Sequence, residues 1–411
     1  MLRVHVLLSL ASLLACSALP LAAQTTGPKV RALTAFVRID SAHFESRMSD
    51  ALTMLRDAKR AYEQRGYEVQ TIRITTQPFS EIIQGLNETE SAKFFHALDA
   101  LAIRESFILN IGPAMLNPAD PPRADQLARI LAGSDQLESS IIVAGENGVR
   151  WPAIRAAATV MKYLSEHTPH SDGNFRFVAT AMLGPYGPFF PGSYHTGAGH
   201  QFSVGLEAAN VVQAALAAHP GQVGAAEKAL AADLSRYDVE CEQIAREIEK
   251  RSGWTYAGLD PTPAPAGEIS IGDAIEKFTG AKFGSSGTMT AAAMITRAVK
   301  SVPVRQVGYA GLMVPILEDS ILAQRWSEGA FTIDSLLSYS AVCGTGLDTV
   351  PLPGDVTEEQ LARIIGDMAT LAYKWHKPLS ARLQPVAGKK AGEKTEFNNP
   401  HLVDAIIQKL P

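Results

Sequence analysis

Apolar residues along this chain recur in two alternating rhythms. The runs "KVRALTAFVRI" (29–39), "YEVQTIRITT" (67–76), "SFILNIG" (106–112), "SSIIVAG" (139–145) and "NFRFVATAML" (174–183) are short and strand-like in composition and spacing. Between them, "FESRMSDALTMLRDAKRAYEQRG" (44–66), "SAKFFHALDALAIRE" (91–105), "RADQLARILAGS" (123–134) and "PAIRAAATVMKYLSEH" (152–167) have the spacing of helices with one buried face. A longer helical stretch, or helical hairpin, occupies 219–253. The alternation then resumes with strands in "WTYAGLD" (254–260), "QVGYAGLMVPI" (306–316) and "SARLQPVAG" (380–388), and a helix in "EEQLARIIGDMATLAYKW" (358–375). Strands alternating with helices predict an α/β fold with parallel strands, covered on both faces or closed into a barrel. No low-complexity linker divides the chain, so residues 24–411 are expected to form one domain.

The first 23 residues follow neither rhythm. Arg3, an apolar run and the small residues of "PLAA" before Gln24 predict a secretory signal peptide cut after Ala23. A second reading makes "LLAC" a lipoprotein signal with Cys16 lipidated, although the apolar "SALPLAA" that follows favours simple cleavage. The expected product is exported, periplasmic or secreted, and meets a membrane only through a lipid on Cys16. A net charge of −5 with both signs scattered offers no basic surface for nucleic acid. Cys241 and Cys343 remain after cleavage, too few for a disulfide scaffold. The sequence is compatible with an oligomer.

In parallel α/β folds, ligands bind beyond the carboxyl ends of strands, so the candidates come from the loops there. "GPYGPFFPGSYHTGAGH" (184–200) holds His195, a candidate acid or base or a histidine bonded to backbone. Asp260 ends one strand, where it either points into a pocket or caps a turn. Gly284, Ser285, Ser286, Gly287 and Thr288 precede a helix, where free N–H groups hold an anion or a side chain caps the turn. Glu318 and Asp319 are an acid–base pair, ligands for a hard cation, or N-cap charges. "SAVCGTGLDTVPLPGD" (340–355) mixes glycines and prolines in a way that predicts a stiff, angular loop around Cys343, Gly344, Gly346 and Asp348. Cys343 is a nucleophile if His195, Lys377 or Lys389 lowers its pKa, and an inert packed thiol otherwise. Lys389 is also a ligand-binding candidate. No metal or cofactor motif stands out.

"VQTIRITTQP", "FFPGSYH", "GSSGTMTAA", "GLMVPILED", "SAVCGTGLDTVPLPGD" and "KPLSARLQPVAGKKAGE" resemble the bacterial family called domain of unknown function 711. The resemblance runs from Val30 to the last helix. It implies the fold of the glycyl-radical enzymes: a ten-stranded α/β barrel of two half-barrels, with a finger threaded inside and Cys343 on or near it. It implies no reaction, because fold alone does not supply one. Radical chemistry itself is disfavoured, since Arg382 and Gly388 are too far apart for the glycyl-radical segment and the chain reads as exported.

The expected function is therefore an enzyme acting on a small anionic metabolite by acid–base or cysteine chemistry without a radical. Catalytic candidates are Cys343, His195, Asp348, Glu318 and Asp319. A non-catalytic small-molecule-binding protein of the envelope is the alternative, and a scaffold whose glycine-rich loops only pack is a third.

Overall fold

The computed structural model describes residues 27–410, so the expected leader lies outside the described residues. Ten strands form one sheet: β1 (Lys29–Phe36), β2 (Val69–Thr75), β3 (Ile108–Pro113), β4 (Leu137–Gly145), β5 (Gly148–Val149), β6 (Phe177–Ala181), β7 (Gln201–Glu207), β8 (Thr255–Asp260), β9 (Gly346–Pro353) and β10 (Leu379–Val386). Their order is β8-β7-β1-β2-β3-β4-β6-β10-β9, with β5 a short antiparallel partner of β4. The mixed α/β class is as the alternation predicts.

The expectation of parallel strands needs correction. The central five, β1, β2, β3, β4 and β6, run in one direction. β7 pairs antiparallel to β1, and β10 antiparallel to β6, while β8 and β9 run parallel to β7 and β10. Direction therefore reverses at both flanks. Each reversal is a long-range pairing that no local period encodes.

Two further expectations change. Residues 340–355, expected to be a loop, are mostly strand: the chain turns at 341–345, runs through β9 and turns again at Gly354 and Asp355. A strand with Pro351 and Pro353 is tolerated because β9 ends the sheet order, where a missing N–H leaves no ladder bond unmade on the open side. Thr349 at φ 46° lies within the register slip that bends this strand. Residues 306–316, expected to be a strand, make only isolated bridges: Gln306 with Leu259 of β8 and Pro315 with Asp348 of β9. One irregular segment thus touches both ends of the sheet.

Helices cover one face. Leu33, Ile74, Leu109, Ile141, Ala179 and Leu383 belong to a single apolar core with residues of Phe44–Glu63, Trp151–His167 and Glu358–Trp375. The stretch at 219–253 is mainly one helix, Val223–Ser252, stopped by Gly253 in the left-handed region at φ 75°. The opposite face of the sheet is crossed by the loop 184–195. Thr34 of β1 donates to the Pro188 carbonyl at 3.1 Å, Thr75 of β2 bonds Ser193 at 2.8 Å, and Asn110 of β3 donates to the Pro191 carbonyl at 2.6 Å. This loop, not the Cys343 turn, lies across the inner face.

Candidate functional site

Period-2 alternation decides what reaches that inner face. In β2, Ile72 and Ile74 join the helix-side core, so Thr71, Arg73 and Thr75 turn the other way. In β4, Leu137 and Ile141 go to the core and Glu138 turns inward; in β10, Leu379, Ala381 and Leu383 leave Ser380 and Arg382 inward. β1 departs from strict alternation. Its register slips between Val30 and Ala32, so that Val30 and Leu33 both reach the core and Arg31 is aimed at the inner face.

These side chains line a cavity of about 430 Å³. Its charged wall is a chain of alternating signs. Arg382 donates to Asp348 at 2.8 Å and also to Glu318; Glu318 accepts from Arg31 at 3.2 Å; Arg31 donates to Glu207 at 3.0 Å. Arg31 and Arg382 stand on strands separated in the sheet by β2, β3, β4 and β6, so the sheet curls until one carboxylate reaches both. Glu207, Glu318 and Asp348 in this row each have a cationic partner, which is the condition for tolerating buried charge. Arg382 lies 4.7 Å over the Phe175 ring, and its proton is held more tightly still by Asp348 and Glu318 despite burial.

Arg73 and Glu138 stand outside this chain. Arg73 donates through Nε to the Thr71 hydroxyl at 2.9 Å and lies 5.1 Å over Phe190, but no carboxylate is paired with it among the described residues. Burial, with Arg31 nearby, brings its pKa down to about 10. Glu138 is 8% exposed and accepts no hydrogen bond among the described residues. Burial raises its carboxyl to about 7 against the pull of Arg73, Arg382 and Arg176. An uncommitted guanidinium thus faces the same cavity as a carboxyl poised near neutrality. That arrangement can hold an organic anion and move a proton on it.

A family model described as "Uncharacterised ACR (DUF711)" matches residues 23–398. The chain belongs to the DUF711 family. It is 30% identical over 348 residues to a UPF0210 protein of Pyrobaculum aerophilum, covering 80% of this chain and 76% of the relative. A UPF0210 protein of Methanocaldococcus jannaschii is 27% identical over 375 residues (85% and 81%), and one of Bifidobacterium longum is 28% identical over 354 (81% and 77%).

Five of the six stretches that carry the DUF711 resemblance deliver residues to the cavity: Arg73, Phe190, Met313 with Glu318, Asp348, and Arg382. "GSSGTMTAA" does not. There Gly284 packs against the Ala330 backbone and donates to the Thr288 hydroxyl at 3.1 Å, Gly287 is the helix N-cap at φ 103°, and Ser285 and Ser286 complete the turn away from the cavity.

Of the other expected residues in this DUF711 chain, Glu318 and Asp348 line the cavity, and the remainder lie elsewhere. His195 is fully buried, its Nε2 is 2.9 Å from the Val37 carbonyl, and burial lowers its pKa. Asp319 caps the helix Ser320–Ser327 and accepts from Ser270 and the Ile271 amide, which ties two helix starts together. Asp260 accepts four hydrogen bonds at the end of β8. Cys343 is 2% exposed in the helix-side core, and Lys377 bonds its carbonyl rather than activating an exposed thiol. Gly344 and Gly346 serve close packing, the first against Gly311 and the second against the Ser380 backbone. Lys389 pairs with Glu396 at 2.8 Å away from the cavity. No cluster of three or more His, Cys, Asp or Glu suited to a metal occurs among the described residues.

The cavity also lies near the starts of β3, β4 and β6, at Ile108, Glu138 and Val178, rather than beyond carboxyl ends. Sequence reasoning missed Arg31, Arg73, Glu138 and Arg382. The usable signal was a charge at an inward position of an otherwise apolar strand, which chains rarely bury without a use or a partner.

Proposed function

We propose that this DUF711 chain is an enzyme that binds a small organic anion through Arg73 and transfers a proton on it through Glu138. The carrying observation is that, among the described residues, Arg73 has no carboxylate partner, whereas the other two arginines of the cavity wall, Arg31 and Arg382, each have one. A carboxyl near pKa 7 exchanges its proton readily at neutral pH, taking it from the bound molecule as carboxylate and returning it as acid. Cysteine chemistry is not part of this reading, because Cys343 lies in the core.

A closed barrel of two five-stranded halves is part of the same proposal. It is supported by five central strands in one direction and four flanking strands in the other, with the 306–315 segment touching both sheet ends as a fifth. The barrel that the resemblance to family 711 implies points the same way.

The anion site is tested by thermal shift of the full chain with millimolar benzoate and phenyl phosphate. At least one should raise the melting temperature of the parent and leave Arg73→Met unmoved. Equal shifts in parent and variant would remove Arg73 from the site.

A further inference from the structure

We propose, resting on the anion-binding reading above, that His401 is the cavity's second contact to the anion, neutral in the free protein and protonated once the anion is bound, so that anion and proton bind together. Three observations carry the inference. The first is placement. His401 borders the cavity from the loop 396–404, where its ring stacks on Phe175 at 6.2 Å between centroids and 13° between planes. The loop is closed at its neck. Asp404 accepts from the Thr395 hydroxyl at 2.9 Å and the Phe397 amide at 3.2 Å, and the Val403 amide donates to the carbonyl of Leu317, next to Glu318, at 2.6 Å. Fixed backbone thus holds the imidazole at the cavity.

The second is free bonding capacity. Arg31 and Arg382 would each have to give up a buried pair to meet a ligand. Arg73 would not, and neither would His401. Its backbone amide donates to the Asn399 side chain at 2.9 Å, while neither ring nitrogen has a partner among the described residues. The residue is exposed rather than sealed in the wall.

The third is charge. The ring faces Arg31 of β1, Arg73 of β2 and Glu318 of the turn Ile316–Glu318. The segment 169–176 offers it Phe175, with Arg382 against the same aromatic ring; there His170 lies 3.1 Å from the Glu396 carbonyl and Asp172 accepts from the Asn398 amide. On its own loop, Glu396 pairs with Lys389 and Asp404 ties the neck. Partial burial lowers the His401 pKa, and Arg31 and Arg73 lower it further against the pull of Glu318. The imidazole is therefore neutral near pH 7. An anion on Arg73 places a negative charge beside it, and an opposite charge within about 4–6 Å moves a pKa by roughly 1–3 toward the charged form. Coupling is reciprocal, so the proton drawn onto His401 in turn tightens the anion.

Glu138 titrates in the same range, so the test is run on the full chain carrying Glu138→Gln. Calorimetry measures binding of benzoate and of benzenesulfonate, neither of which titrates between pH 6 and pH 8, at both of those values. At least one should bind about fivefold more tightly at pH 6, with uptake of a fraction of a proton read from buffers of different ionisation enthalpy. Adding His401→Gln should flatten the pH dependence and abolish the uptake, and His401→Phe, which keeps an aromatic ring against Phe175, should do the same. If either variant weakens binding equally at both pH values and leaves the uptake in place, the role of His401 is overturned. If Glu138→Gln alone binds equally at pH 6 and pH 8 while Arg73→Met abolishes binding, the proton coupling falls and the anion site stands. If neither anion binds, or if Arg73→Met binds them as the parent does, both readings fall.

Discussion

Glu138 shows how one side chain acquires a task from its surroundings. Its carboxyl sits near pKa 7 because burial outweighs Arg73, Arg382 and Arg176, and Glu318 pushes the same way as burial. In the unfolded chain the same group titrates near 4.3. Between those values the folded state holds a proton that the unfolded state has lost. Its contribution to stability is therefore complete below about pH 4 and is lost as pH rises through 7. The full span corresponds to about 4 kcal/mol, and the part of it that falls between pH 5 and pH 8 to about 3 kcal/mol. Urea melts at pH 5 and pH 8 should show the parent losing stability relative to Glu138→Gln by up to that amount. Parallel pH slopes in the two proteins would show that Glu138 is not the group responsible. At this scale the sequence was partly legible. Glu318 and Asp348 were visible because each sits in a distinctive stretch, whereas Arg73 sits inside a strand-like run whose period does not mark which face meets the cavity, and Glu138 falls one residue before the strand-like run at 139–145.

Elements are held in place by groups that looked catalytic in the sequence. Asp260, at the end of β8, accepts from the Thr262 amide at 3.0 Å, the Thr262 hydroxyl at 2.6 Å, the Tyr309 amide at 2.8 Å and the Ala310 amide at 3.1 Å. Both carboxylate oxygens are used, and they stitch β8 to the irregular segment after Gln306. A Cβ at Gly308 would collide with this carboxylate, so glycine is required there. Asn at 260 offers one accepting oxygen and turns an NH₂ toward a donor. Asp260→Asn should therefore cost about 2–4 kcal/mol in chemical denaturation, from lost charge-assisted bonds and a buried mismatch. An unchanged midpoint would show that these bonds do not hold the segment. The period-2 pattern of β7, Phe202, Val204 and Leu206 buried against polar neighbours, was present in the sequence and hidden by the glycine-rich loop before it. β9 was illegible for a different reason. Its prolines and glycines are tolerable only at a sheet end with close-packed partners, and that is a tertiary condition.

For the whole molecule, alternation gave the α/β class and the helix-covered face, but strand direction at the two flanks depends on pairings between residues far apart in the chain. The reversed flanks and the 306–315 segment decide whether the curled sheet has ends. Leu259 donates to the Arg305 carbonyl at 2.8 Å, Val307 donates to the Leu259 carbonyl at 3.1 Å, and Gly344 donates to the Leu312 carbonyl at 2.7 Å. If the segment completes a barrel, these amides are released only when the whole sheet opens. Native-state hydrogen exchange should then protect Leu259, Val307 and Gly344 to within about tenfold of Ile74 and Ile141 in the central strands. If the segment merely covers two independent edges, it can lift away alone, and its amides should exchange orders of magnitude faster than the central ones. The second outcome would also leave the cavity wall at Met313 and Glu318 movable, because Met313 lies within the segment and Glu318 follows it by three residues. Protection at the segment thus bears on the barrel and on the rigidity of the site it encloses: a carboxylate that bridges Arg31 and Arg382 keeps its geometry only while the backbone carrying it is fixed at both sheet ends.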